Sequence, residues 1–256
     1  MAGAFLDGPA GYQAAVEPRW CTRPESLTLV RHGESMGNRA DAAAREAASE
    51  ELDLHDRDAD VALSPLGEDQ AAAVGRWLSE ASAQWRPTLV VASPYRRAAD
   101  TARAAVGDLD VPLAFDERLR ERDLGAFDGL TGRGIEVRFP EEAARRKKLG
   151  KFYYQPPSGE SWADVALRVR SFLADLGHGF EGERIWLFSH QAVIMAFRYV
   201  LEDVDEQHLL DIDRRVAIPN ASLTRFVRSD AGFALETFAD TRAVDERSVV
   251  TEEESA

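Results

Sequence analysis

Three short apolar runs punctuate the chain: Leu27–Val30 (LTLV), Thr88–Val91 (TLVV) and Ile185–Phe188 (IWLF). Each has the length and near-continuous hydrophobicity of a strand covered on both faces, as in a parallel sheet. Leu223–Val227 and Phe233–Phe238 alternate apolar with polar positions, which predicts strands nearer a sheet edge. Between these runs the period lengthens to three and four. Ser64-Pro65 and Ser93-Pro94 each set a capping hydroxyl before a proline at a first helical position, so helices are predicted to start there. From the first start, Leu66, Gln70, Ala73, Val74, Trp77 and Leu78 share one stripe. The strongest stripe joins Trp162, Val165, Ala166, Val169, Phe172, Leu173 and Leu176. Alternation of strands and helices predicts the α/β class: a three-layer α/β/α sandwich with a mainly parallel central sheet.

From about residue 116 to 160 the rhythm breaks. This stretch holds a basic run (Arg145, Arg146, Lys147, Lys148, Lys151), aromatics (Phe152, Tyr153, Tyr154) and Pro156-Pro157. It reads as a cap inserted into a single domain covering 26–240, with the basic run as a solvated helix face and the aromatics packing cap onto core. Residues 1–25, rich in Gly, Ala and Pro, read as a loose leader, and 241–256 as an acidic tail.

The chain has 256 residues, 45% hydrophobic and 30% charged, the composition of an ordered globular protein. Its 31 basic against 45 acidic residues leave −14, so neither a nucleic acid nor an anionic membrane is an expected partner. A single cysteine, Cys21, excludes an intramolecular disulfide and suits a reducing compartment. No apolar run reaches the length of a membrane span, and MAGAFLDGPAGYQAAVEP lacks the pattern of a secretion signal, so a cytoplasmic protein is expected. An anionic substrate would have to be held by local cations against the overall field.

In open α/β sheets ligands bind beyond the carboxyl ends of the strands. LTLV is followed by Arg31-His32-Gly33-Glu34-Ser35 and then Asn38; TLVV by Ser93-Pro94-Tyr95-Arg96-Arg97; IWLF by Ser189-His190-Gln191. Two histidines and several arginines thus emerge at one edge of one sheet. Phosphoryl transfer through a phosphohistidine fits this combination. A neutral imidazole is a competent nucleophile, and a neighbouring cation, here Arg31, keeps it deprotonated. Gly33 would let the backbone pass close to a phosphate. Arg31 and Arg97 supply forked donors, His190 another if protonated, and Asn38 a neutral amide. Glu121, at the start of the cap, is the candidate proton donor to the departing oxygen. Ser35, Arg122 and Gln191 are candidate substrate contacts. His55, His178 and His208 show no metal spacing, and the chain lacks a phosphate-binding P-loop and a serine-hydrolase elbow.

Five ordered stretches carry a resemblance: LVRHGESMGN (29–38), LSPLGEDQA (63–71), SPYRRAADTA (93–102), LRERDLGAFDGL (119–130) and FSHQAVI (188–194), with support from PSGESWADV (157–165) and PNASLTRF (219–226). Together they resemble the histidine phosphatase superfamily, phosphoglycerate mutase-like branch. The resemblance implies that His32 is the phospho-accepting nucleophile, that Arg31, Arg97 and His190 form the phosphate pocket, that Asn38 contacts phosphate and that Glu121 donates the proton. The register of SPYRRAADTA selects Arg97 over Arg96. The family's second histidine is usually followed by glycine; here Gln191 stands there, an amide side chain that could replace the backbone contact. The mutases' arginine pair lies shortly before a run of prolines, whereas Arg145-Arg146 lies well upstream of Pro156-Pro157. The implied function is hydrolysis of a small phosphorylated metabolite with no metal and no organic cofactor. The alternatives are a phosphoglycerate mutase and, from another class, a non-catalytic binder of phosphorylated ligands.

Overall fold

A computed structural model describes residues 24–107, 109–230 and 232–244. The leader up to residue 23 and the tail from residue 245 lie outside these described residues. Six strands, β1 (Ser26–Arg31), β2 (Leu89–Ala92), β3 (Leu113–Phe115), β4 (Arg184–Ser189), β5 (Leu223–Ser229) and β6 (Gly232–Asp240), form one sheet in the order β3-β2-β4-β1-β5-β6. The first four are mutually parallel, and β5 and β6 run antiparallel at one side. The three apolar runs are the central strands; β1 and β4 extend one residue beyond each end of their runs, and β2 is shifted one residue onward from its own. Of the two alternating segments, β5 lies inside the sheet and β6 forms its edge. β3 has three residues, too few to register as a strand pattern.

The period of two sends alternate side chains to opposite faces. Leu27, Leu29, Ile185 and Leu187 pack against α6 (Trp162–Leu176) and α7 (Gln191–Leu201). Val30, Val90, Trp186 and Phe188 pack against α2 (Pro65–Glu80) and α3 (Arg96–Val106). The result is the three-layer sandwich. All seven residues of the predicted α6 stripe are buried, each full burial of a large apolar side chain contributing ~1.5–3 kcal/mol. Ser161 opens α6 with a capping box to Asp164. On α2 the buried stripe is rotated slightly: Gly67 and Ala71 turn inward, while Leu66, Ala73 and Trp77 are half-buried.

Two expectations need correction. The helix predicted from Ser93-Pro94 starts at Arg96, with Tyr95 at its N-cap and no side-chain capping bond; Ser93 faces elsewhere. Gly33, expected to make room for phosphate, makes room for backbone instead: a Cβ there would stand 2.5 Å from the Gly67 carbonyl oxygen, and one on Gly67 would stand 1.9 Å from that of Glu34.

Between β3 and α6 lie α4 (Gly132–Arg138) and α5 (Pro140–Leu149), which enclose a small cluster of Phe127, Ile135 and Tyr154. Phe152 belongs to the main core with Trp162. Residues 49–52, which follow α1 (Met36–Glu46), are stitched to this region: Leu52 N–H donates to Gly129 O (2.9 Å) and Thr131 N–H to Glu50 O (3.1 Å). The basic run is exposed along α5 apart from the half-buried Arg146. Lys151 differs: it is half-buried and ion-paired at 2.8 Å with Asp213 of α8 (Glu206–Arg215). Past β6, Ala243 and Val244 are buried in the cluster that contains Trp85. No helix of the described residues is long and apolar enough to cross a membrane.

Candidate active site

Parallel register builds the site. Arg31 pairs with Ser189 and Ala92 with Phe188, so His32, His190 and Ser93 leave β1, β4 and β2 side by side. The rings of His32 and His190 stand 5.1 Å apart between centroids, and both residues are almost wholly buried. His32 Nδ1 lies 2.7 Å from the carbonyl oxygen of Gly33. A carbonyl only accepts, so Nδ1 carries the proton and the lone pair of a neutral ring resides on Nε2. The Gly33 N–H donates to Thr101 Oγ1 (3.0 Å), whose hydroxyl donates to Arg97 O (2.6 Å), tying the His32 turn to α3.

Arg31 is buried, with Nη1 donating to Ile218 O at 2.5 Å. Arg97 is also buried; its Nη1 donates to the carbonyl oxygen of Asp58 (2.6 Å) and to its carboxylate (2.8 Å). His190 Nε2 lies 2.9 Å from Ser93 Oγ. Burial, followed by the charge of Arg97, holds the His190 pKa well below its ordinary value. A neutral ring is thereby favoured, a neutral donor in place of the protonated one considered from sequence. His190 is also the N-cap of α7, whose first turn has no side-chain cap, so its N–H groups add to the anion-binding character of this corner.

A cavity of about 510 Å3 opens above, between segments 52–61 and 121–132. Asn38, Arg97, Glu121, Arg122 and Gln191 line it, and so does Ser35. Glu121 Oε1 accepts from Arg122 N–H (2.8 Å). Its backbone is pinned: Arg168 donates to the carbonyls of Arg118 (2.5 Å) and Glu121 (3.2 Å), and Ser189 Oγ to that of Leu119 (2.7 Å). Burial pulls the Arg122 pKa down to about 10, against the pull of Glu121 and with the push of Arg146. Ser35 is the N-cap of α1; its hydroxyl donates to Asn38 Oδ1 (3.1 Å) and accepts from Asn38 N–H. A hydroxyl has one proton, so Ser35 acts here by holding Asn38.

A family model described as the histidine phosphatase superfamily, branch 1, matches residues 27–241. The chain belongs to the histidine phosphatase superfamily. Among relatives in this superfamily, the glucosyl-3-phosphoglycerate phosphatase of Mycolicibacterium vanbaalenii is 35% identical over 155 residues, 60% of each chain. The bifunctional protein Rv2228c of Mycobacterium tuberculosis is 32% identical over 180 residues, 70% of this chain and 45% of the relative. The chain spans about half the length of these curated relatives. The solved structure of a mycobacterial glucosyl-3-phosphoglycerate phosphatase with VO3 is 27% identical, covers 84% of this chain and 99% of its own, and superposes with a TM-score of 0.64. A putative alpha-ribazole-5'-P phosphatase from Escherichia coli, 21% identical with a TM-score of 0.69, shares the fold.

Several residues that contact these side chains escaped the sequence reading. Asp58 sits in a charge-rich loop with nothing to mark it. Asn220, inside the PNASLTRF stretch, donates from Nδ2 to His32 O (3.0 Å) and Asn38 Oδ1 (3.2 Å). Ser93 was read as a helix cap. Tyr95, whose ring stands edge-on to His190 at 5.5 Å, lines the cavity.

Proposed function

We propose that this protein is a phosphatase that hydrolyses small phosphomonoesters through a phosphohistidine. His32 Nε2 attacks phosphorus in line as the ester P–O bond breaks, and Glu121 protonates the departing oxygen. A water molecule, deprotonated by Glu121, then attacks the phosphohistidine and releases inorganic phosphate and the free imidazole. Arg31, Arg97, the His190 N–H and the Asn38 amide hold the phosphoryl oxygens; Arg122 and Gln191 contact the rest of the substrate. The observation that carries the proposal is the 2.7 Å contact from His32 Nδ1 to Gly33 O, which leaves Nε2 as the nucleophilic nitrogen beside the buried His190. Phosphoryl transfer is mostly positioning and charge stabilisation, which the buried arginines are suited to provide. The phosphatase names of the relatives agree with this chemistry.

A mutase would need further cations for a sugar acid. Arg145 is exposed on α5 beside Glu142 (3.7 Å), while Arg146 and Lys151 both act electrostatically on Arg122, so it is the phosphatase names of the relatives that favour hydrolysis. The test is turnover of p-nitrophenyl phosphate by the wild type and by His32→Ala. Loss of turnover in the variant, with an acid-labile, base-stable phosphoprotein trapped from the wild type, is expected. Full activity in His32→Ala would refute the mechanism, and failure to trap any phosphoprotein would favour a non-catalytic binder. Conversion of 3-phosphoglycerate without ester hydrolysis would favour a mutase.

A further inference from the structure

Ser93 closes β2 and is fully buried. Its Oγ has two hydrogen-bonding neighbours: Tyr95 N–H at 3.2 Å, which can only donate, and His190 Nε2 at 2.9 Å. The hydroxyl proton therefore has a single acceptor, the imidazole nitrogen. With Nε2 accepting, a neutral His190 ring must carry its proton on Nδ1. That atom is buried and has no hydrogen-bond partner among the described residues. A buried donor without a partner is rare, and this one belongs to the ring that faces His32 across 5.1 Å and lies in the field of Arg97.

We propose that Ser93 is a positioning residue for phosphoryl transfer: its hydroxyl donates to His190 Nε2 and locks the ring in the Nδ1–H tautomer, which presents a neutral N–H to the phosphoryl oxygens held beside His32. The inference rests, for its purpose, on the phosphohistidine chemistry proposed above. In the other tautomer a lone pair would face anionic oxygens, exchanging attraction for repulsion. Ser93 thereby gives a buried ring the donor that protonation would otherwise have to supply. The parallel register makes the contact possible, because Ala92 pairs with Phe188 and the next residues of β2 and β4 stay adjacent.

The test reads the tautomer directly. Long-range 1H–15N correlation spectra of the 15N-histidine-labelled full chain, with His190 assigned by its disappearance in His190→Asn, are expected to show the Nδ1–H pattern near neutral pH. In Ser93→Ala the Nε2–H form gains population and turnover of p-nitrophenyl phosphate falls, on the order of ten- to a hundredfold as for other lost orienting partners of histidines, with KM changing less than kcat. Ser93→Cys, a weaker donor of similar size, is expected to fall in between. An Nε2–H ring in the wild type, or a folded Ser93→Ala protein with undiminished kcat, would overturn the proposal. The wild-type spectrum decides even if the alanine variant does not fold. It is recorded without substrate, so a wild type inactive on every ester would sink the phosphatase reading while leaving the tautomer result in place.

Discussion

The Arg97 guanidinium is already engaged by Asp58. Asp58 occupies one edge of the guanidinium through both its carbonyl and its carboxylate, at 2.6 and 2.8 Å on the same Nη1. The carboxylate steadies the fork, and its charge opposes an incoming phosphate. Asp58→Ala is accordingly expected to lower the inhibition constant of inorganic phosphate about fivefold, the ~1 kcal/mol scale of a partly exposed ion pair. It is also expected to lower kcat, because the fork loses one of its two anchors. Steady-state kinetics with phosphate as inhibitor measures both, and an unchanged inhibition constant would show that carboxylate and ligand do not compete. That Arg31, His32 and His190 emerge at one sheet edge is legible from sequence because they follow strands, whereas Arg97 is singled out from Arg96 only by the register that the resemblance implies. Asp58 is not legible, since His55–Asp60 reads HDRDAD and no spacing distinguishes one carboxylate of that run from another.

At the scale of elements, the Gly33–Gly67 crossing fixes how closely the His32 turn approaches the start of α2. Neither glycine has a positive φ; the requirement is space, and the obstructing atoms are backbone, which cannot swing aside. Gly67→Ala is expected to cost ~1–3 kcal/mol or more, as overpacking does, and to lower Tm on the order of 5–10 °C. Calorimetry checks it, and an unchanged Tm would mean that the crossing relaxes freely. Helix α6 could be read from its pattern alone because its seven buried positions follow a single period. The start of α3 could not: Ser93-Pro94 has the form of a cap, yet Ser93 Oγ is committed to His190 and Tyr95 N–H. A local signal yielded to a partner 97 positions away in sequence. The union of residues 49–52 with the cap is equally non-local.

For the molecule as a whole, the buried neutral His190 links the site to folding. Its folded pKa lies below the unfolded value, so acidification protonates the unfolded chain first. Its contribution to stability is therefore complete above the unfolded pKa near ~6.5. As the pH falls below that value it is lost, at up to about 1.4 kcal/mol per pH unit. Denaturant unfolding at a series of pH values should show a shallower slope below the unfolded pKa for His190→Gln than for the wild type. Equal slopes would mean that the ring takes up its proton in the folded state too. The net charge of −14 adds no attraction for an anion, so the proposed phosphate binding would depend on the buried Arg31 and Arg97. By itself the sequence determined the α/β class, the central strands, the stripe of α6 and the catalytic candidates, because periodicity and strand-end chemistry are written locally. Only the tertiary structure decided the contacts of His32 Nδ1 with Gly33 O and of His190 Nε2 with Ser93 Oγ, the hold of Asp58 on Arg97 and the close passage at Gly67. All but the first depend on atoms that parallel register and helix packing bring together from distant parts of the chain.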